Sequence, residues 1–168
     1  MFNISGKTLT DRQRRIYDFL SSNHVGVLAT VDPNADPHGT VIYYAVGKNF
    51  TVSFVTRTGT KKYDNLILNN HVMLVIFQPD SQTVAQVIGK AVEIKNGNDI
   101  NAVAAAVFKA GLNVGKDSAL PITKLEAGEY AAFRIVPDQI RMAAYGRPDS
   151  TGYNHIFESI ESFDLNDD

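Results

Sequence analysis

The chain predicts a mainly β fold of the α+β type: an antiparallel barrel of six to seven strands with a few flanking helices. Short apolar runs rich in Val, Ile, Tyr and Phe recur through the first half. Turn-forming clusters such as Asp32-Pro33-Asn34-Ala35-Asp36-Pro37 and Gly47-Lys48-Asn49 separate them, and short turn-rich links favour antiparallel neighbours. Helical periodicity is confined to a few segments. A β-sandwich is the other architecture this pattern allows.

Taken in order, Thr10-Asp11-Arg12-Gln13 fits a capping box, with a threonine N-cap and glutamine at the third helical position. The helix it opens runs to about Ser22, and Ile16, Phe19 and Leu20 share one face. Val25 to Val31 is apolar on both faces, which predicts a strand buried on both sides. Strands over Gly39 to Val46 and Phe50 to Thr56 complete a meander. Thr58-Gly59-Thr60 then turns into a short helix from Lys61 that carries Leu66, Ile67 and Leu68. Val72 to Phe77 is a continuous apolar strand, and Gln78 to Gln82 links it to a fifth strand, Thr83 to Ile94. Gly89 inside that strand predicts a bulge or bend. A helix follows Asn96-Gly97-Asn98-Asp99, capped by Asn98 or Asp99 and stopped at Gly111. No pattern is readable from there to Gly128. Tyr130 to Val136 and Gln139 to Ala144 read as two strands joined at Pro137-Asp138, and a short helix is expected near His155 to Ser162. With no repeat or linker, residues 1–168 are expected to form one domain, its core about 10–145 and a C-terminal tail over 146–168.

At 168 residues, with 44% hydrophobic and 20% charged, the chain can bury a sizeable core. A formal net charge of −2 disfavours nucleic acid and anionic membranes as partners, since both call for a basic face. The chain has no cysteine, which excludes disulfides, thiolate metal sites and cysteine nucleophiles. Met1 to Thr10 lacks the basic start and apolar core of a signal peptide, and no apolar run approaches the roughly 20 residues of a membrane span. A cytoplasmic location is expected. His24, His38, His71 and His155 share no metal-ligand spacing and read as turn or strand-edge residues. Neither a G-x-S-x-G elbow, a G-x-G-x-x-G loop nor a Walker ending occurs.

Phe50 to His71 is the stretch with chemistry in it. A β-rich run ends in the polar turn Arg57-Thr58-Gly59-Thr60, and the turn opens a helix on Lys61-Lys62. Hydroxyls at Thr56, Thr58 and Thr60, three cations and the N–H groups of a first helical turn together suit an anion. The simpler reading makes Thr60 an N-cap and the lysines a solvated face. Lysines oppose the helix dipole at an N-terminus, so their presence calls for a compensating reason, and a bound anion is one.

The ordered set Val25-Gly26-Val27-Leu28-Ala29-Thr30-Val31-Asp32, Pro37-His38-Gly39-Thr40-Val41-Ile42-Tyr43-Tyr44, Val55-Thr56-Arg57-Thr58-Gly59-Thr60-Lys61-Lys62, His71-Val72-Met73-Leu74-Val75, Val87-Ile88-Gly89-Lys90-Ala91 and Phe133-Arg134-Ile135-Val136-Pro137-Asp138-Gln139-Ile140 resembles the FMN-binding split barrels related to pyridoxamine 5′-phosphate oxidase, including their general-stress-type members. The resemblance covers most of residues 10–145. It implies a split β-barrel, a homodimer with FMN at the subunit interface, and a flavin-dependent oxidoreductase acting on a small molecule. Carried over residue by residue, Thr60, Lys61 and Lys62 match the family's phosphate site. Val55 and Thr56 match the strand end beside the flavin, and Thr40, Val41 and Ile42 the strand whose backbone meets its ring edge. Two features of the vitamin B6 oxidase are missing: Val84 stands where it has a glutamine, and Tyr145-Gly146-Arg147-Pro148-Asp149-Ser150 stands where it has Arg-x-His. The resemblance thus implies the family's cofactor, not its vitamin B6 substrate, and names no catalytic acid or base. A non-catalytic flavin or haem module and an F420-dependent reductase are the alternatives.

Overall fold

The computed structural model describes residues 3–4, 7–112, 129–145 and 157–164. After a small hairpin of β1 (Asn3–Ile4) and β2 (Lys7–Thr8) comes α1 (Asp11–Ser22). Its start follows the sequence: Gln13 N–H donates to Thr10 Oγ1, and Thr10 N–H donates to Gln13 Oε1. The main sheet is built from β3 (Val25–Val31), β4 (Pro37–Val46), β5 (Val52–Arg57), β6 (His71–Gln78), β7 (Thr83–Ile94), β8 (Tyr130–Tyr145) and β9 (Phe157–Asp164). All its pairings are antiparallel, in the order β5-β4-β3-β6-β7-β8-β9, and β5 also pairs with β8. Six strands therefore close a ring, and β9 lies outside it on the second half of β8.

The inward residues form one core, with Leu28, Tyr44, Val52, Phe54, Leu74, Ile76, Val87, Phe133, Ile135 and Ile140 all under 2% exposed. Three helices flank the ring among the described residues. α1 closes one end with Ile16 and Leu20, and Tyr17 meets Phe50 edge to face, centroids 5.7 Å apart. α2 (Lys61–Leu68) lies over the opposite end and sends Leu66 into the core. α3 (Gly97–Gly111) lies outside, where Val103 and Val107 cover Tyr43, Ala45, Val55 and Ala132.

Four expectations change. Tyr130–Tyr145 is one strand, not two. Pro137 does not break it because it sits at a register shift opposite Gly89, where a proline's missing donor is tolerated. Gly89 is needed at that bend: a Cβ would lie 2.2 Å from the Val136 carbonyl oxygen. The tail segment read as a helix is strand β9 over Phe157–Asp164. Phe157, Ile160 and Phe163 have a helix-like spacing of three, but Gln139–Tyr145 offers an unpaired edge and β9 takes it. The expected helix start at His155 lies outside the described residues, as does the stretch 113–128, where no pattern was readable. β3 is buried on one face only. Val27 is 44% exposed and Val41, its partner on β4, 63%, because a barrel has a single interior. Asn96, neither Asn98 nor Asp99, caps α3 and accepts from Asn98 N–H at 2.9 Å.

Candidate functional site

β4 and β5 pair only through Tyr44–Phe54, Ala45–Ser53 and Val46–Val52. Continued, that register would set Ile42 opposite Thr56 and Thr40 opposite Thr58, but the strands part. Over this length β4 keeps its ladder to β3, and β5 its ladder to β8. The barrel is thus split along Thr40–Ile42 and Val55–Thr56, with Thr60, Lys61 and Lys62 at one end of the seam. All eight predicted residues border this one feature.

Their side chains do not converge. Ile42 is buried in the barrel core. Val41 points outward and is exposed, and Val55 points outward against α3. Thr56 is buried, and its hydroxyl reaches the Arg57 carbonyl at 3.5 Å. Thr40 Oγ1 is buried with no hydrogen-bond partner among the described residues. Backbone carries most of the seam's polarity, which fits a role that does not depend on side-chain identity.

The α2 end is more specific. Thr60 is the N-cap: its hydroxyl donates to the Arg57 carbonyl at 2.9 Å and accepts from Tyr63 N–H at 3.3 Å. A hydroxyl has one hydrogen, so Thr60 already uses its only donor. Gly59 provides the left-handed step into the cap, with φ +70°. Lys61 is more than half exposed and its Nζ lies 3.3 Å from Asp32 Oδ2. Asp32 also accepts from Asn34 N–H and Asp36 N–H at 2.9 and 3.0 Å. These hydrogen bonds, from Asp36 foremost, hold its carboxyl below the usual carboxylate range, and Lys61 adds to the effect. The turn carboxylate that links β3 to β4 thus compensates Lys61.

Lys62 differs from its neighbour. Residues three and four apart share a helix face, so Lys62 lies on the stripe of Asn65 and Leu66, the two buried residues of α2. Burial pushes its ammonium below the ordinary lysine value, and it has no ion pair among the described residues. One turn on, Asn65 Nδ2 donates to Thr30 Oγ1 at 3.0 Å, and Thr30 Oγ1 donates to the His38 carbonyl at 3.3 Å. This chain fixes α2 over the end of β3. Thr30, Thr56 and Asn65 are three of the four buried polar residues among those described, so this mouth is the polar end of an otherwise apolar barrel.

Sequence reading missed Asp32 as a charge partner and Asn65 as an anchor. The second was signalled by an asparagine on the Lys62–Leu66 stripe. Grooves of about 380 Å³, beside Ile67, Leu68 and Val92, and about 280 Å³, beside Lys95 and Arg134, contain none of the eight residues. No group of three metal-ligating side chains occurs among the described residues, and no described helix is long and apolar enough to cross a membrane.

The residues present fit a phosphate monoester on a flat cofactor. The buried-face ammonium of Lys62 lacks a counter-charge among the described residues, a helical first turn offers N–H groups, Thr40 Oγ1 has an open hydrogen-bond capacity, and two strand edges border a seam.

The same fold occurs in solved structures of low identity. A pyridoxamine 5′-phosphate oxidase-related, FMN-binding protein from Nostoc punctiforme matches with TM-score 0.60 at 15% identity, covering 95% of this chain and 100% of that one. A Clostridium acetobutylicum protein related to general stress protein 26 of B. subtilis matches with TM-score 0.63 at 12% identity, covering 93% and 97%. A haem-binding protein from Mycobacterium smegmatis matches with TM-score 0.69 at 15% identity, covering 94% of this chain and 60% of that longer one. These likenesses show the fold. No curated protein matches the chain in sequence. The family model described as pyridoxamine 5′-phosphate oxidase matches residues 13–143. With that match over most of its length and a barrel split where the family's ordered segments fall, the chain belongs to the pyridoxamine 5′-phosphate oxidase family.

Proposed function

We propose that this chain is a cytoplasmic, homodimeric, FMN-binding split-barrel protein with flavin-dependent oxidoreductase activity on a small molecule. The observation that carries the reading is Lys62, an ammonium on the buried face of α2 without a carboxylate partner among the described residues. An unpaired, half-buried charge is unfavourable unless something else compensates it, and a phosphate at the helix N-terminus would do so. Bound FMN would supply the electron chemistry. The chain's part would be to anchor the phosphate with Lys61, Lys62 and the first turn of α2. The backbone of Thr40–Ile42 and Val55–Thr56 would border the ring and shield it from water.

The dimer is supported by family membership and by the outward row Val41–Val27–Val75 across β4, β3 and β6, with Phe77 exposed further along β6. A second copy that covers this row would remove apolar surface from water and close the seam from outside. The cytoplasmic location is supported by the absence of cysteine.

The visible spectrum of the purified protein tests the reading, with the released cofactor identified by mass. A flavin spectrum and the mass of FMN are expected. A colourless protein that takes up no added FMN would overturn the proposal, and a Soret band would replace FMN with haem. Once FMN is bound, reduction by NADH or NADPH with candidate acceptors separates an enzyme from a storage module.

A further inference from the structure

His38 is half-buried on β4, yet its ring Nδ1 is fully buried and has no hydrogen-bond partner among the described residues. It pairs directly with Thr30 across the β3–β4 ladder, and directly paired residues point to the same face. Thr30 is buried toward the barrel mouth and bonded to Asn65 of α2. His38, Thr40 and Ile42 alternate along β4 and so line the same inner side. Two consecutive inward residues at the open seam, His38 and Thr40, thus carry buried polar atoms without partners, beneath the helix that bears the unpaired Lys62. Buried polar atoms are almost always satisfied, so two neighbouring exceptions at an opening point to a bound group. Thr60, the side chain first expected to donate to a phosphate, has given its hydrogen to the Arg57 carbonyl.

We infer that His38 is a further ligand-contacting residue of this site, donating from Nδ1 to an oxygen of the cofactor's phosphorylated tail beside Thr40. The inference rests on the FMN reading above and assigns to β4 the side-chain hydrogen bonds that the cap of α2 cannot provide. His24, the other histidine with a buried unpaired Nδ1, lies at the closed end, its ring 6.4 Å from that of Tyr44, where no seam opens.

The test compares FMN with riboflavin, which lacks the phosphate. Each is titrated into apoprotein by flavin fluorescence, for wild type, His38→Phe and His38→Asn, with circular dichroism to verify folding. Phenylalanine keeps the ring and removes the nitrogens, whereas the amide of asparagine reaches the position of Nδ1. His38→Phe is expected to lose about tenfold in FMN affinity, the worth of one hydrogen bond to a charged group. Riboflavin affinity is expected to stay the same, and His38→Asn to recover most of the loss. Equal FMN affinity in wild type and His38→Phe, or equal losses for FMN and riboflavin, would overturn the inference and leave a buried water or simple packing as the role of His38. A wild-type protein that binds no FMN would overturn the cofactor reading and this inference with it.

Discussion

At the α1 end of the barrel, β4 and β5 are hydrogen-bonded to each other, and the buried Tyr44 donates to the Leu20 carbonyl at 3.1 Å. At the α2 end the same two strands have parted, and Lys62, His38 and Thr40 hold polar groups without partners among the described residues. One pair of strands therefore serves two purposes along its length. The closed end holds the barrel together through its paired strands and its burial, although Arg14 Nε and His24 Nδ1 are buried there without a partner among the described residues. The open end leaves His38 Nδ1, Thr40 Oγ1 and Lys62 unsatisfied beside a gap between strands, at a cost in stability that the proposed ligand would offset. Strain of this kind is a usual companion of a binding site.

The largest expected effect lies at the closed end. Tyr44→Ala removes a fully buried aromatic and should cost about 3–5 kcal/mol in urea denaturation, while protein that remains folded should bind FMN with unchanged affinity. A loss of FMN binding in folded Tyr44→Ala protein would mean that the two ends are not separable. Tyr44→Phe keeps the ring and leaves the Leu20 carbonyl unpaired, at a cost of about 1–2 kcal/mol.

At the open end, Asn65→Leu keeps the side chain's size and removes the bond to Thr30. We expect a cost of roughly 1 kcal/mol and weaker FMN binding, since α2 loses its anchor on β3. If stability falls and FMN affinity does not, Asn65 has no part in placing the phosphate site.

The smallest effect is a pH dependence at the closed end. Burial pushes the His24 imidazole below its ordinary value, and its hydrogen bond with the Tyr44 backbone partly opposes this. The unfolded chain then takes up a proton near pH 6.5 that the folded chain resists, so stability falls as pH drops below that value. Unfolding curves at pH 7.5 and 5.5 should show this, and His24→Phe should reduce the difference. An unchanged difference would place the titration elsewhere.

The same contrast shows what the sequence could disclose. The capping box at Thr10, the strand run from Val25 to Ile94 and the turn into α2 depend on local patterns, and local patterns are readable. β8 was not readable as one strand because Pro137 looks like a break until Gly89 is seen opposite it. β9 was hidden by a spacing of three that becomes a strand only beside the free edge of β8. The candidate seam residues came from the order of segments, but their directions did not. Lys61 and Lys62 are one residue type in adjacent positions, and only helix geometry separates the lysine paired with Asp32 from the one turned inward with Leu66. His38 looked like a strand-edge histidine because its empty hydrogen-bond site appears only once the barrel is closed.

The most direct measurement is therefore an FMN titration of two single variants, Lys61→Ala and Lys62→Met, with the stability of each apoprotein measured in parallel. Lys62→Met should weaken FMN binding about tenfold or more and leave the apoprotein as stable as wild type or up to roughly 1 kcal/mol more so. Lys61→Ala, whose charge Asp32 already compensates, should weaken binding less. FMN binding by Lys62→Met equal to wild type would contradict the assignment of Lys62 as the phosphate's counter-charge and return both lysines to a solvated helix face.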